Sequence, residues 1–346
     1  MNNDLHRTII EKQRLNDLFL KKLTHINYKT PESASYLFNQ ENKIMQKRFS
    51  GIVVPMITPL NNDFTVDVYA VERIMKLFGK SGINPLVLGT TGESSSIPAK
   101  ESYRFVEAAV KAKGKNQCVY AGLVGNQVDE LIERGNRYLQ LGADCVVATL
   151  PSYYILSSVQ MTAFYTQLAD SISGPVMMYN IKATTQMTIP LDVVEKLSAH
   201  PNIYGLKDSE RDAERMKACI ASYSNNPDFS YFCGWGAQSA GSMELGADGI
   251  VPSTGNIVPD MYGKLYKAAL TGDWKECNKW QEITDNFASV YQKDRTLGES
   301  LAALKAIMNS TGICNATMMP PLTELTKAEV TLIENRFAEL VRITGE

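Results

Sequence analysis

Eight short apolar runs, separated by stretches of helical period, constrain this chain more than any other feature. From Gly51 onward the runs fall at Ile52–Ile57, Pro85–Leu88, Cys118–Leu123, Cys145–Leu150, Val176–Tyr179, Ile203–Leu206, Phe229–Cys233 and Gly249–Val251. Between them, Val68–Phe78, Ala99–Ala112, Val128–Leu141, Val159–Ser171, Leu191–Ser198 and Ala213–Tyr223 carry the period of a helix with one buried face. Strand-then-helix units of this length give parallel strands covered by helices, and eight of them predict closure into a (β/α)8 barrel of the α/β class. An open doubly wound sheet is the alternative, because a miscount of one strand would admit it. An internal echo favours the regular repeat. Leu141-Gly142-Ala143-Asp144 precedes the fourth run and Leu245-Gly246-Ala247-Asp248 the eighth, each reading as a helix ended by glycine and turned into a strand.

At 346 residues and 44% hydrophobic content, one TIM barrel of about 250 residues with appended helices accounts for the chain, and no second domain is needed. We divide it into an N-terminal extension (1–45), the barrel (46–270) and a C-terminal helical extension (271–346). The first segment has no apolar run longer than Leu18-Phe19-Leu20, so it reads as neither a secretory signal nor a membrane span. Ile9, Leu15, Phe19 and Leu23 would share one face of a helix, a loose tail fits equally well, and Met45 is an alternative start. Past the eighth strand, Pro259–Leu270, Trp274–Tyr291, Leu297–Met308 and Lys327–Val341 read as helices, of which the barrel needs only one; the others would pack on it or on a partner subunit.

Net charge is −2 without a basic block, which argues against a nucleic-acid or anionic-membrane surface. Cys118, Cys145, Cys219, Cys233, Cys277 and Cys314 are scattered, three of them inside expected strands, as reduced core thiols of a cytoplasmic protein would be. No Cys-x-x-Cys or His-x-x-x-His spacing occurs, and the histidines are His6, His25 and His200. Neither a metal site nor a histidine triad is expected, and no cofactor.

In this architecture, catalytic groups come from the carboxyl ends of strands. The sixth strand ends in Lys207. Lysine alone among side chains condenses with a ketone to a protonated imine, an electron sink that lets a neighbouring carbon leave or gain a proton. Alternation puts Lys207 on the face of Gly205 and turns Leu206 and Asp208 the other way, so Asp208 is not its partner by default. A lysine at a strand end reaching solvent is the plain alternative. The second strand runs into Gly89-Thr90-Thr91-Gly92-Glu93, where hydroxyls and backbone N–H groups before a helix suit a carboxylate or phosphate, although a simple glycine-rich turn would look the same. The fourth ends in Pro151-Ser152-Tyr153-Tyr154 and the fifth in Met178-Tyr179-Asn180. A phenol there can pass a proton if a second hydroxyl holds it, or can simply pack.

Taken together and in this order, Gly89-Thr90-Thr91-Gly92-Glu93, Tyr179-Asn180 and Gly205-Leu206-Lys207-Asp208-Ser209 resemble the dihydrodipicolinate synthase and N-acetylneuraminate lyase superfamily of class I aldolases. The likeness runs from about Arg48 to the C-terminal helices. It implies that Lys207 forms a Schiff base with pyruvate or another 2-keto acid, that Thr90, Thr91 and Gly92 hold its carboxylate, and that Tyr179, with Thr90, relays protons. It further implies that Tyr153 inserts into a neighbouring subunit's site, that the protein is a homotetramer built as a dimer of dimers, and that Val251 and Ser253 line the far wall, Ser253 toward the variable end of the substrate.

Departures from the family pattern bear on the substrate. Dihydrodipicolinate synthases usually read Tyr-Asn-x-Pro-x-Arg-Thr-Gly after the fifth strand, the arginine gripping the second substrate's carboxylate. Here Tyr179-Asn180-Ile181-Lys182-Ala183-Thr184-Thr185-Gln186 puts Thr184 in the arginine's place, and threonine cannot reproduce a planar bidentate donor. Lys182 either supplies the missing charge or is an ordinary surface lysine. Trp235, in Gly234-Trp235-Gly236, would add a flat apolar wall at the seventh strand or pack in the core. The expectation is a lyase cleaving or forming a C–C bond between pyruvate and an aldehyde, acting on a 2-keto-3-deoxy sugar acid or an N-acetylneuraminate-like substrate. The alternatives are a dihydrodipicolinate synthase with an atypical carboxylate clamp, and a ligand-binding barrel without turnover.

Overall fold

A computed structural model describes residues 47–345; the expected N-terminal extension, 1–45, lies outside the described residues. Strands β1 (Gly51–Pro55), β2 (Ile83–Val87), β3 (Tyr120–Leu123), β4 (Cys145–Thr149), β5 (Val176–Asn180), β6 (Ile203–Asp208), β7 (Ser230–Cys233) and β8 (Gly249–Ile250) pair in chain order, all parallel, and β8 closes on β1. The expected (β/α)8 barrel is therefore present, and closure removes the open-sheet alternative.

The covering layer comprises α1 (Val68–Lys80), α2 (Ala99–Ala112), α3 (Val128–Gln140), α4 (Ser158–Ser171), α5 (Lys182–Thr185), α6 (Leu191–Ser198), α7 (Ala213–Tyr223), α8 (Ser239–Glu244) and α9 (Pro259–Leu270). α5 escaped the sequence reading, because four residues are too few to display a helical period, and α8, only six residues long, was signalled by its glycine stop alone. Helix starts follow local chemistry. Asp67 accepts hydrogen bonds from the Tyr69 and Ala70 N–H groups ahead of α1, and Asp212 does the same for α7. Ser157 and Gln160 close a capping box on α4.

The two Leu-Gly-Ala-Asp repeats perform one job twice. Gly142 and Gly246 adopt φ of 102° and 97°, a region that suits glycine, and end α3 and α8. The next residue then bonds back into the helix, Ala143 N–H to the Tyr138 carbonyl (3.1 Å) and Ala247 N–H to the Ser242 carbonyl (2.9 Å). Each aspartate finally pins the start of the preceding strand: Asp144 Oδ2 accepts the Val119 N–H at 2.8 Å, and Asp248 Oδ2 the Tyr231 N–H at 2.7 Å.

Phe49, Val53, Leu86, Val147, Met177 and Phe232 fill the barrel interior, while a larger apolar cluster lies between strands and helices. Along β6, Leu206 joins that outer layer, whereas Gly205 and Lys207 face inward. A side chain at Gly205 would collide with the Ser230 carbonyl of β7, so close strand approach requires glycine there. Beyond the barrel, α10 (Trp274–Gln292) packs on α8 and α9, and is followed by α11 (Leu297–Ser310) and α12 (Lys327–Thr344). Capping boxes start α11 (Thr296, Glu299) and α12 (Thr326, Glu329), and the Phe287 and Phe337 rings, 5.5 Å apart, join α10 to α12. All six cysteines are free thiols. No described helix is long and apolar enough to cross a membrane.

Candidate active site at the carboxyl end of the barrel

Register places the central pair. β5 and β6 align Tyr179 with Lys207, and because side chains alternate, both enter the barrel mouth from adjacent strands. Lys207 is 4% exposed, and its Nζ lies 3.8 Å from the centroid of the Tyr179 ring. The Tyr179 hydroxyl is 3.4 Å from Thr90 Oγ1. Burial would push the Tyr179 phenol up, but the Lys207 ammonium and polar contacts with Thr90, Lys207 and Ser209 outweigh it and hold the phenol below its ordinary value of 10.0. An amine, a phenol and a hydroxyl in sequence can hand a proton along, as imine formation requires.

One residue further along each strand, side chains turn outward into a polar network. Asp208 accepts from Asn180 Nδ2 (2.8 Å) on one oxygen and from Arg215 Nε (2.6 Å) on the other. The Glu210 N–H joins the first oxygen at 3.0 Å, and Asn180 Nδ2 also reaches Glu210 Oε2 at 3.0 Å. Asp208 thus serves Arg215 and Asn180 and not Lys207. Lys182 Nζ lies 3.3 Å from Glu210 Oε1, so its charge is already matched.

The loop after β2 forms a single turn of 3-10 helix, Thr90–Gly92. The Gly92, Glu93 and Ser94 N–H groups are used within the turn, while those of Thr90 and Thr91 find no acceptor among the described residues. Two free N–H groups beside two threonine hydroxyls form a concavity suited to an anion. Thr58 Oγ1 fixes the turn by donating to the Gly92 carbonyl at 2.5 Å.

These groups line a cavity of about 1090 Å³. Of the residues expected from sequence, Lys207, Tyr179, Thr90, Thr91, Val251 and Ser253 are brought together on its wall, and Trp235 joins them while also packing against the outer core. Three others stand apart. Gly92 is buried behind the threonines, Thr184 is exposed with its hydroxyl turned to the Ile181 carbonyl (3.4 Å), and Tyr153 projects from the loop after β4, 78% exposed.

The sequence reading gave the opposite wall only Val251 and Ser253 and missed the part that α10 and α11 supply. There the buried Tyr291 hydroxyl bonds Ser253 Oγ (2.8 Å) and Thr254 Oγ1 (3.0 Å) and accepts from Gln292 Nε2 (2.7 Å). Burial raises this phenol, which remains a neutral hydrogen-bonding hub. Arg211 and Lys293 add positive charge at the exposed rim. No group of three or more His, Cys, Asp or Glu among the described residues is arranged to hold a metal ion.

Comparison with known proteins agrees with this geometry. The family model described as the dihydrodipicolinate synthetase family matches residues 48–339. The chain is 30% identical over 286 residues to 4-hydroxy-tetrahydrodipicolinate synthase of Phenylobacterium zucineum, covering 82% of this chain and 95% of that protein. It is 29% identical over 230 residues to the probable 2-dehydro-3-deoxy-D-pentonate aldolase YjhH of Escherichia coli, covering 66% and 76%. Among solved structures, YagE of E. coli in complex with pyruvate superposes with a TM-score of 0.79 at 25% identity, over 85% of this chain and 99% of that one. With the barrel, the strand-end lysine and the matched family model in agreement, the chain belongs to the dihydrodipicolinate synthetase family and is a lyase of the class I aldolase type.

Proposed function

We propose that this enzyme cleaves or forms a C–C bond between pyruvate and a hydroxylated aldehyde, with a 2-keto-3-deoxy sugar acid or an N-acetylneuraminate-like compound as the joined species. The placement of Lys207 Nζ against Tyr179, itself next to Thr90, carries the reading. Lys207 attacks the keto carbon, water leaves, and the protonated imine draws electrons from the adjacent bond. Tyr179, backed by Thr90, delivers and removes the protons, and the Thr90-Thr91 turn holds the carboxylate.

Three features support a hydroxylated partner. The β5 side has Thr184 where an arginine would grip a second carboxylate, and the nearby Lys182 charge is matched by Glu210. Opposite, Ser253, Tyr291 and Gln292 offer hydroxyl and amide groups. YagE, similar in fold, binds pyruvate, and YjhH, similar in sequence, is named as a keto-deoxy sugar acid aldolase. A second reading, 4-hydroxy-tetrahydrodipicolinate synthase, is favoured by the name of the Phenylobacterium relative and by Arg211 at the rim, whose guanidinium could take over the carboxylate grip.

Exposed Tyr153, Tyr154, Ile155 and Val159 form an apolar patch that supports self-association, with Tyr153 entering a neighbouring subunit's cavity in a dimer of dimers. Two assays test the chemistry. Borohydride with pyruvate should trap one adduct at Lys207, absent in Lys207→Ala and in Lys207→Arg, whose guanidinium cannot form an imine. Keto-deoxy acid cleavage should then exceed condensation of pyruvate with aspartate semialdehyde by about a hundredfold or more in kcat/KM, since an unpaired carboxylate on the β5 side costs several kcal/mol. Comparable condensation would favour the synthase.

A further inference from the structure

The anion-binding turn after β2 is braced from outside the barrel. Glu93, directly after Gly92, has a left-handed backbone, φ 57°, which is costly for a residue with a Cβ and persists only where the surroundings enforce it. What enforces it is a buried ion pair. Glu93 Oε1 lies 2.5 Å from Lys305 Nζ on α11, with the two side chains 0% and 1% exposed. The other carboxylate oxygen accepts the Met319 N–H at 2.7 Å, and Lys305 Nζ also donates to the Thr317 carbonyl at 2.7 Å. Asn315 and Thr317 reach back to Leu60 and Asn62 of the loop after β1. The Thr90-Thr91 donors therefore lead directly to a residue whose side chain is held by α11 and by the segment that follows it.

Stability alone is a poor explanation for such a pair, because apolar residues of similar volume do as well or better in most buried settings. Orientation is a better one. The donors must point at one place, and a 3-10 turn between glycines has little rigidity of its own.

We propose that Glu93 and Lys305 are positioning residues for the keto-acid carboxylate, so that α11 belongs to the binding apparatus of the barrel. This rests on the reading of the cavity as a keto-acid site. The pair does not touch substrate; it acts through the Thr90 and Thr91 N–H groups and the Thr91 hydroxyl, while the Thr90 hydroxyl keeps its contact with Tyr179. Its loss should therefore weaken keto-acid binding and leave the bond-making step at saturation largely intact.

The test uses the full chain and the double variant Glu93→Gln/Lys305→Met, which removes both charges together and keeps an acceptor for the Met319 N–H. If it does not fold, Glu93→Gln alone is used. Borohydride trapping is titrated with pyruvate, and melting temperature is measured in parallel. The pyruvate concentration for half-maximal trapping should rise about tenfold or more, while the saturated rate stays within about threefold of wild type. Combined with Thr91→Val, the loss should be less than multiplicative, because both changes act on one set of donors. Phe337→Leu, at the α10–α12 contact, should lower the melting temperature with the wild-type pyruvate requirement. A folded pair variant with an unchanged pyruvate requirement, whatever its melting temperature, overturns the proposal. Absence of any adduct in the wild type overturns the keto-acid reading itself, and the proposal with it.

Discussion

Asp208→Ala should damage stability and turnover together. The carboxylate is 2% exposed and accepts from Asn180 Nδ2, the Glu210 N–H and Arg215 Nε at 2.8, 3.0 and 2.6 Å. Each bond to a charged acceptor is worth about 1.5–3 kcal/mol by itself. Their simple sum overstates the loss, since Arg215 can turn toward Glu210, whose Oε2 is already 3.9 Å away. A better guide is the roughly 3–5 kcal/mol lost when one member of a buried ion pair is removed. At about 2 °C per kcal/mol for a large domain, the melting temperature should fall by roughly 6–10 °C. Asn180 and Asp208 are cross-strand partners immediately beyond Tyr179 and Lys207, so slack between them also shifts phenol against amine. A displacement on the order of 1 Å costs about a hundredfold in rate. The assays are thermal unfolding and borohydride trapping with pyruvate. A melting temperature within 2 °C of wild type, or a wild-type trapping rate, would refute the view that this network holds the two strand ends in register.

Tyr179 should titrate below an ordinary tyrosine, so between its folded value and 10.0 the native state releases a proton that the unfolded chain keeps. Stability then rises with pH across that window and loses this contribution as pH falls through the folded value. In Lys207→Ala the cation is gone, burial dominates, and the tyrosinate absorbance that Tyr179→Phe removes should move to higher pH; no movement would discount the charge of Lys207 as the cause. Thr91→Val deletes a donor to a charged carboxylate, worth roughly 1.5–3 kcal/mol, and should raise the pyruvate requirement about tenfold to a hundredfold; an unchanged requirement removes Thr91 from the site. Tyr153→Ala with Tyr154→Ala should shift the sedimentation of the protein toward smaller species and lower turnover, whereas unchanged sedimentation would argue that this loop is not a subunit contact.

What the sequence disclosed follows the range over which its signals act. Lys207, Tyr179 and the Thr90-Thr91 turn were legible because strand alternation and strand ends are local, and the barrel gathers strand ends wherever its helices lie. The repeated Leu-Gly-Ala-Asp stop was legible for the same reason, although the use of its aspartates as strand anchors was not. Arg215 looked like any polar residue of an amphipathic helix until α7 brought it to Asp208. Tyr291 meets Ser253 across 38 positions. Glu93 meets Lys305 across more than two hundred positions, and no periodicity encodes such a meeting. Thr184 was read from the sequence as standing where an arginine is usual, and its outward turn toward Ile181 became visible only once α5 was built.

The two walls of the cavity answer to different requirements. Lys207 and Tyr179 project from strands whose register is fixed by hydrogen bonds on both sides, which suits groups that must keep a set geometry through a proton transfer. Ser253, Tyr291 and Gln292 come from a loop and from the end of α10, where a change of side chain disturbs no strand pairing. Substrate choice can therefore vary along α10 and α11 while the imine chemistry stays constant. The Glu93–Lys305 pair is where these walls meet: the same helix that lines the cavity through Ser300 and Leu301 also holds the residue that follows the Thr90-Thr91 turn. Substitutions in α11 near Lys305 should accordingly alter keto-acid binding, and those in α10 near Gln292 the choice of aldehyde. That separation would not arise if the C-terminal helices were packing alone.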